Sequence, residues 1–194
     1  MKKTVIFVLI GVALLVMWAV STNNSLVGDR EAVRQAWANV ESQYQRRADL
    51  IPNLVNTVKG AANFEQETLT AVVEARSKAT SIQLSAEDLN NPETMRQFQE
   101  AQGQLSGALS RLLMTVENYP ELKANDNFKD LQVQLEGTEN RIATERVRYN
   151  EVVTTYNTKV QKFPTSMMAG ILGFQPSAYF EADAGSENAP KVSF

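Results

Sequence analysis

AWANVESQYQRRADLIPNLVNTVKG, residues 36–60, is the stretch that decides the fold. Its apolar side chains recur in steps of three and four residues, the spacing that places them on one face of an α-helix. Together with Val33, three residues before the stretch, they are Trp37, Val40, Tyr44, Ala48, Ile51, Val55 and Val58. Gly60 then ends the pattern, as glycine commonly does after a helix. A long amphipathic helix is therefore predicted at about residues 28–59.

Three further apolar stripes follow along the chain, separated by turn-forming residues. The second carries Phe64, Val72, Ala75, Ala79 and Ile82, the third Phe98, Gln102, Leu105, Leu109, Leu112 and Val116, and the fourth Phe128, Leu131, Leu135, Thr138, Ile142, Tyr149, Val153, Tyr156, Val160 and Phe163. No segment before residue 175 has the alternation of a strand. Helices are predicted at about 62–83, 92–118 and 126–163. With the first helix they make an all-α protein whose residues 23–163 form an up-down-up-down four-helix bundle.

The N-terminus is typical of a membrane anchor. Residues 4–28 carry no charge, and VIFVLIGVALLVMWAV, residues 5–20, is almost entirely aliphatic. At about 1.5 Å per residue, the uncharged run crosses a hydrocarbon core of about 30 Å. Residues 1–22 are therefore predicted to be a single transmembrane helix. The alternative is a signal peptide cleaved close to Ser21.

The charges on the two sides of the anchor predict its orientation. Lys2 and Lys3 precede it, whereas the charges that follow it nearly balance: Asp29, Arg30, Glu31 and Arg34. The positive-inside rule then places the N-terminus in the cytoplasm and the bundle outside. The alternative orientation keeps the bundle in the cytoplasm.

The composition excludes several classes of function. The chain has 194 residues, no cysteine, no histidine and a net charge of −3. Thiol catalysis and thiolate metal sites need cysteine, and the commonest general base and di-metal bundle sites need histidine. An enzyme that uses carboxylates alone would need a cleft, which a closed bundle lacks. The acidic balance argues against nucleic acid as a partner. No enzyme, no cofactor and no metal are predicted.

One group of charged residues is unexpected on helices that pack on several sides. Counted along an up-down-up-down bundle, its members fall at about one height above the membrane: Arg46, Arg47, Asp49, Glu74, Arg76, Glu145 and Arg146. We interpret them as an ion network that fixes the register of the helices. An anion-binding or catalytic cluster is the alternative.

Pro52 predicts a kink in the first helix. Proline has no N–H to donate to the carbonyl of Ala48, and it disfavours helical geometry at Ile51. The kink is expected near residues 48–52. Asp49 is expected to accept from the amides of the turn that restarts the helix.

Two short segments are predicted beyond the fourth helix. Residues 164–174 follow the end of that helix and carry no charge; their apolar side chains are Met167, Met168, Ile171, Leu172 and Phe174. An even number of helices returns the chain to the membrane, so this segment is expected at the lipid surface, or as a lid on the base of the bundle. Residues 175–194 are predicted to be a tail with a β-strand at 191–194. There Val192 and Phe194 would bind a neighbouring subunit or a partner such as a protease.

Two stretches carry a family resemblance. RRADLIPNLV (46–55) and YNTKVQKFP (156–164), within a match over about residues 25–180, are similar to the LemA family of bacterial membrane-anchored proteins. The resemblance implies a membrane-anchored helical bundle and no established activity. Family members are often encoded beside membrane metalloproteases or other small envelope proteins, so the resemblance implies a membrane protease or another envelope protein as a partner.

The expected function is therefore a non-enzymatic scaffold or adaptor. It would contact membrane lipid and self-assemble as a homo-oligomer at the bacterial cytoplasmic (inner) membrane. The alternative is a regulatory or adaptor subunit of a membrane protease.

Overall fold

Helices account for most of the residues that the computed structural model describes, which are 2–60 and 64–181. The helices are α1 (Lys2–Lys59), α2 (Gln66–Ser81), α3 (Pro92–Val116), α4 (Pro120–Ala124), α5 (Asp126–Gln161) and α6 (Thr165–Leu172), with a 3₁₀ turn at Asp88–Asn90. The predicted all-helical class is confirmed over these residues, which contain no strand. An anchor helix and four bundle helices were predicted, and the described residues contain six α-helices. The anchor and the first bundle helix are one helix, and the connection after α3 and the segment after α5 each form a short one. The predicted strand at 191–194, with Val192 and Phe194, lies outside the described residues.

The candidate anchor and the first predicted bundle helix are one helix. α1 has 58 residues, which is about 87 Å at the rise of an ideal α-helix. Its large apolar side chains from Val5 to Val16 are exposed, and burial begins in the helical body at Leu26. Among the described residues, α1 is the helix whose length and composition suffice to span a membrane. The long apolar N-terminal helix that the sequence predicts is thus confirmed.

The helices pack in two pairs. α1 lies along α5, α2 lies along α3, and the pairs meet where α1 contacts α2. The apolar core forms two clusters: one centres on Trp37, Phe98 and Tyr149, and the other on Leu54 and Leu112. The predicted stripes supply most of both clusters. Phe163 is an exception, because α5 ends at Gln161 and leaves that ring 74% exposed.

Pro52 lies inside α1, which continues through it to Lys59. The missing N–H of Pro52 leaves the carbonyl of Ala48 without its helical donor, and the Nε of Arg76 from α2 donates to that carbonyl at 2.7 Å. The expected capping role of Asp49 is wrong, because the helix does not restart here. Its Oδ1 instead accepts from Gln45 Nε2 at 2.9 Å. The kink itself stays a prediction.

Candidate functional site

Arg47 is a buried cation that joins three helices. Its side chain is 1% exposed, and on α1 it lies one helical turn from the ring of Tyr44, which its guanidinium covers at 5.2 Å from the centroid. Its Nη1 donates to Ser106 Oγ on α3 and to Glu139 Oε1 on α5, both at 2.7 Å. Its Nη2 donates to Gln102 Oε1 on α3 at 2.6 Å. An isolated buried charge would be very costly, and these partners offset that cost.

This polar network separates the two apolar clusters of the core. On each helix that the network touches, the apolar residues on its two sides belong to different clusters. On α1 the boundary lies between Tyr44 and Ile51. It lies between Phe98 and Leu105 on α3, and between Leu135 and Ile142 on α5. Shifting any of these helices by one turn would leave a guanidinium or an amide against apolar side chains. The network is therefore suited to fix the register of the helices.

The other residues of the predicted polar layer do not join Arg47. Arg46, Asp49 and Glu74 are exposed, and Arg76 contacts the backbone of α1 as described above. Glu145 pairs with Arg148 on its own helix at 2.6 Å. The Nη2 of Arg146 donates to the carbonyl of Glu181 at 3.0 Å. Gln102, Ser106 and Glu139 were not part of the predicted polar layer, although the position of Gln102 on the apolar stripe of α3 was a signal.

The segment after α6 is packed into the body, in contrast to the tail predicted from residue 175. Gly173, at φ 76°, ends α6 in the left-handed conformation that glycine adopts readily. The chain then runs in extended form to Glu181, with Ala178 and Phe180 buried. The ring of Phe180 stacks on Trp37 at a centroid distance of 5.9 Å. Residues 174–181 are hereafter the extended segment.

Side-chain amides of α5 hold the backbone of the extended segment. Asn157 donates to the carbonyl of Ser177 at 2.9 Å and accepts from its N–H at 2.8 Å. Asn150 does the same for Phe180, at 2.9 Å in both directions. The hydroxyl of Tyr149 donates to the carbonyl of Ala178 at 3.0 Å, and burial raises the pKa of this phenol. These contacts make α5 a receptor for extended backbone.

A groove of about 820 Å³ opens beside Arg47, between α3 and α5. Its walls include Gly103 and Ser106 of α3 and Ala143 and Arg146 of α5, and Glu181 lies at one end. Arg96, also on its wall, donates to Glu93 at 2.8 and 3.0 Å and lowers the pKa of that carboxyl to about 2. The sequence predicted a closed bundle without a cleft, whereas the structure has this groove on one face.

The apolar side chains after Pro164 divide between solvent and core. Met167, Ile171 and Leu172 are exposed, Met168 is partly buried, and Phe174 is buried. Phe174 packs under Arg30 of α1, whose guanidinium lies 5.1 Å from the ring centroid. Phe174 thus does not belong to the exposed apolar face. That face, here called the α6 face, consists of Met167, Ile171 and Leu172.

These features define an all-helical protein whose candidate N-terminal membrane anchor is continuous with its body. The chain belongs to the LemA family, whose model matches residues 36–194. It is 29% identical over 174 residues to the magnetosome proteins MamQ 1 and MamQ 2 of Paramagnetospirillum magneticum, covering 81% of this chain and 64% of each relative. It is 25% identical over 178 residues to Protein LemA of Metamycoplasma hominis, covering 92% of this chain and 77% of that one. The chain thus spans less than two thirds of the length of the two magnetosome proteins.

Proposed function

We propose that this protein is a non-enzymatic, membrane-anchored scaffold or adaptor that self-assembles at the bacterial inner membrane. The observation that carries the proposal is the continuity of α1, which runs from the candidate anchor into the core without a break. A flexible linker would let the body tumble above the membrane, whereas one helix holds it at a set height and angle. In the proposal, the four long helices α1, α2, α3 and α5 act as the bundle that the anchor presents.

The position of the α6 face supports contact with membrane lipid. α6 packs against α1 and α5, next to the part of α1 that leaves the anchor. Just after the candidate anchor, Asp29 of α1 forms an ion pair with Lys159 of α5, and the distance from Nζ to Oδ2 is 2.6 Å. A short apolar face at this height can insert into the interfacial layer of a bilayer, as amphipathic helices do. The body would then rest on the membrane at two points, the anchor and α6.

Self-assembly is proposed through the C-terminus. Val192 and Phe194 have the alternation of a strand, which suits addition to an exposed backbone edge of a neighbouring subunit. The proposed orientation, from the charges that flank the anchor, places the N-terminus in the cytoplasm and the body outside.

A second candidate is a regulatory or adaptor subunit of a membrane protease. The groove beside Arg47 favours it, because an open cleft on the side of the body offers a partner a surface with both charged and apolar walls. In that case the stable complex would contain a different protein rather than further copies of this chain.

Capture of differently tagged copies tests the two candidates. Two full-length forms with different tags are expressed in one cell, and one form is captured from detergent-extracted membranes. Self-assembly predicts that the second tag is captured in comparable amount, and that deleting residues 191–194 reduces it. Capture of a protease in equal amount, without the second tag, would favour the second candidate and contradict the first.

A further inference from the structure

The extended segment follows a fixed register along α5. Asn157 holds Ser177, and Asn150 holds Phe180, so seven residues of helix match three residues of extended chain. Seven helical residues rise about 10.5 Å, and three extended residues span about 10 Å. Because these two lengths agree, the segment can run antiparallel to α5 and keep the same pairing of residues along it.

The next step of this register leads into the groove. On α5, Ala143 lies seven residues before Asn150. Beyond the extended segment, Asp183 lies three residues after Phe180. Ala143 lies on the wall of the groove, and Glu181 lies at its entrance. Between these steps, Arg146 donates to the carbonyl of Glu181. The hydrogen bonds from α5 to the backbone of the extended segment thus continue as far as Glu181, where the chain reaches the groove.

The α3 side of the groove is built in the same way. Gln99 accepts from the N–H of Glu181 at 3.0 Å, so α3 also holds the backbone at the entrance. One turn further on α3 is Gly103, and a Cβ built there would meet no heavy atom within 4 Å. Small residues therefore face each other across the groove at the level where the register places Asp183. They leave space for a chain to pass between α3 and α5.

We propose that the groove is a binding site for extended polypeptide, and that its occupant is residues 182–185 of the same chain. Residues 182–194 follow Glu181 directly, so the occupant is already tethered at the entrance and binds without the entropy cost of association. Three of these four residues are alanine or glycine, and Gly103 and Ala143 leave the groove open to a chain of that kind. The proposal goes beyond the scaffold function and does not depend on it.

Disulfide trapping in the full-length protein tests the register. The chain has no cysteine, so Ala143→Cys with Asp183→Cys introduces a single pair. A disulfide needs Cα atoms within about 7 Å. We expect an intramolecular disulfide that forms at least tenfold faster than in the control pair Val73→Cys with Asp183→Cys, where Val73 is an exposed residue of α2. Equal rates for the two pairs, or a disulfide formed between two chains, would overturn the proposal.

Filling the groove provides an independent test in the same double-cysteine background. Gly103→Trp places an indole where the occupant is expected and should slow disulfide formation at least fivefold. Gly107→Trp is the matched control, since Gly107 also has open space around its Cβ but does not line the groove; it should leave the rate unchanged. Circular dichroism checks that both variants are folded, and Gly103→Leu replaces Gly103→Trp if the larger residue unfolds the protein. An unchanged rate with the filled groove contradicts the proposal.

Discussion

At the scale of the residue, Arg46 and Arg47 show that two adjacent identical side chains lie on different faces of a helix. Arg47 follows Val40 and Tyr44 in steps of four and three and is buried, whereas Arg46 points away from that face and is exposed. The flat guanidinium of Arg47 places its Nη1 and Nη2 donors against partners on α3 and α5 at once. A lysine, whose charge is on a single ammonium group, could not donate to these partners in the same planar geometry.

Replacing Arg47 tests whether the network fixes register and stability. Arg47→Met keeps the apolar stem but leaves Gln102 buried without its donor, and we expect the free energy of unfolding to fall by about 2–3 kcal/mol. Arg46→Met is the matched control on the neighbouring exposed position and should change stability by less than about 0.5 kcal/mol. Urea unfolding of the full-length protein in detergent, followed by circular dichroism, gives both values. Equal stability of the two variants would remove the role assigned to Arg47.

Tyr149 predicts how stability depends on alkaline pH. Burial raises its pKa above the ordinary value of 10.0, so the folded protein holds the phenol proton more tightly than the unfolded chain. Its contribution is complete below pH 10 and is lost as pH rises through the folded pKa. We expect the unfolding free energy to fall above pH 10 by up to about 1.4 kcal/mol per pH unit for this group.

Tyr149→Phe removes the titrating group and should flatten that alkaline slope, although it also loses the hydrogen bond to Ala178. Unfolding measured between pH 8 and pH 11 in both proteins separates the two effects, since the lost hydrogen bond lowers stability equally at every pH. Parallel curves for the two proteins would show that Tyr149 does not titrate as its burial requires.

The sequence could identify Arg47 as unusual but not its partners. Counting along the bundle placed Arg146 at the level of Arg47, but the α5 residue that pairs with Arg47 is Glu139, two helical turns away. The α3 partners, Gln102 and Ser106, are uncharged and therefore fell outside a search for ion pairs. The spacing of Val40, Tyr44, Arg47 and Ile51 did contain the information that Arg47 faces inward.

At the scale of the element, the extended segment depends on paired amide contacts. Asn157→Asp keeps the size of the side chain but removes the N–H group that donates to Ser177, and it adds a buried charge beside that carbonyl. We expect a loss of about 3 kcal/mol in stability and faster chymotrypsin cleavage at Tyr179 and Phe180. Asn140→Asp, at an exposed position of the same helix, should change neither. Resistance of the Asn157→Asp protein to cleavage would mean that the segment is held by its apolar contacts alone.

The α6 face gives a second test at this scale. Ile171 is 77% exposed, and a fluorophore on Ile171→Cys should report an apolar environment when the full-length protein is in lipid vesicles. Nitroxide-labelled lipids should quench it. Val133→Cys, 67% exposed on α5 and near the opposite end of the body, should be unaffected by the same lipids. Equal quenching at both positions would contradict the placement of α6 at the membrane surface.

Helices were predictable from sequence where apolar residues repeat in long stripes, as in α1, α3 and α5. The short helices α4 and α6 were not, since five and eight residues are too few to show a period. The extended segment was misread as tail because its proline and small residues resemble a linker. Its burial depends on Asn150 and Asn157, which lie far from it in sequence.

At the scale of the whole molecule, the continuity of α1 connects the anchor, the α6 face and the groove. In the proposed function, each position along the body has a set height above the lipid, because one helix runs through both the candidate anchor and the body. The sequence analysis predicts the anchor at 1–22 and the helix from about residue 28 as separate elements, and Asn23, Asn24 and Gly28 between them are poor helix formers. Packing of α5 and α6 against this part of α1 outweighs that local preference.

The mass of the native particle tests the central claim most directly. The full-length protein is extracted from its own membranes under mild conditions, and the mass of the intact particle is measured by native mass spectrometry. A self-assembling scaffold predicts a particle whose protein mass is an integer multiple of 21.6 kDa, two or more, with this chain as its component. A particle containing one 21.6 kDa chain, alone or with an equal amount of another protein, would contradict the account.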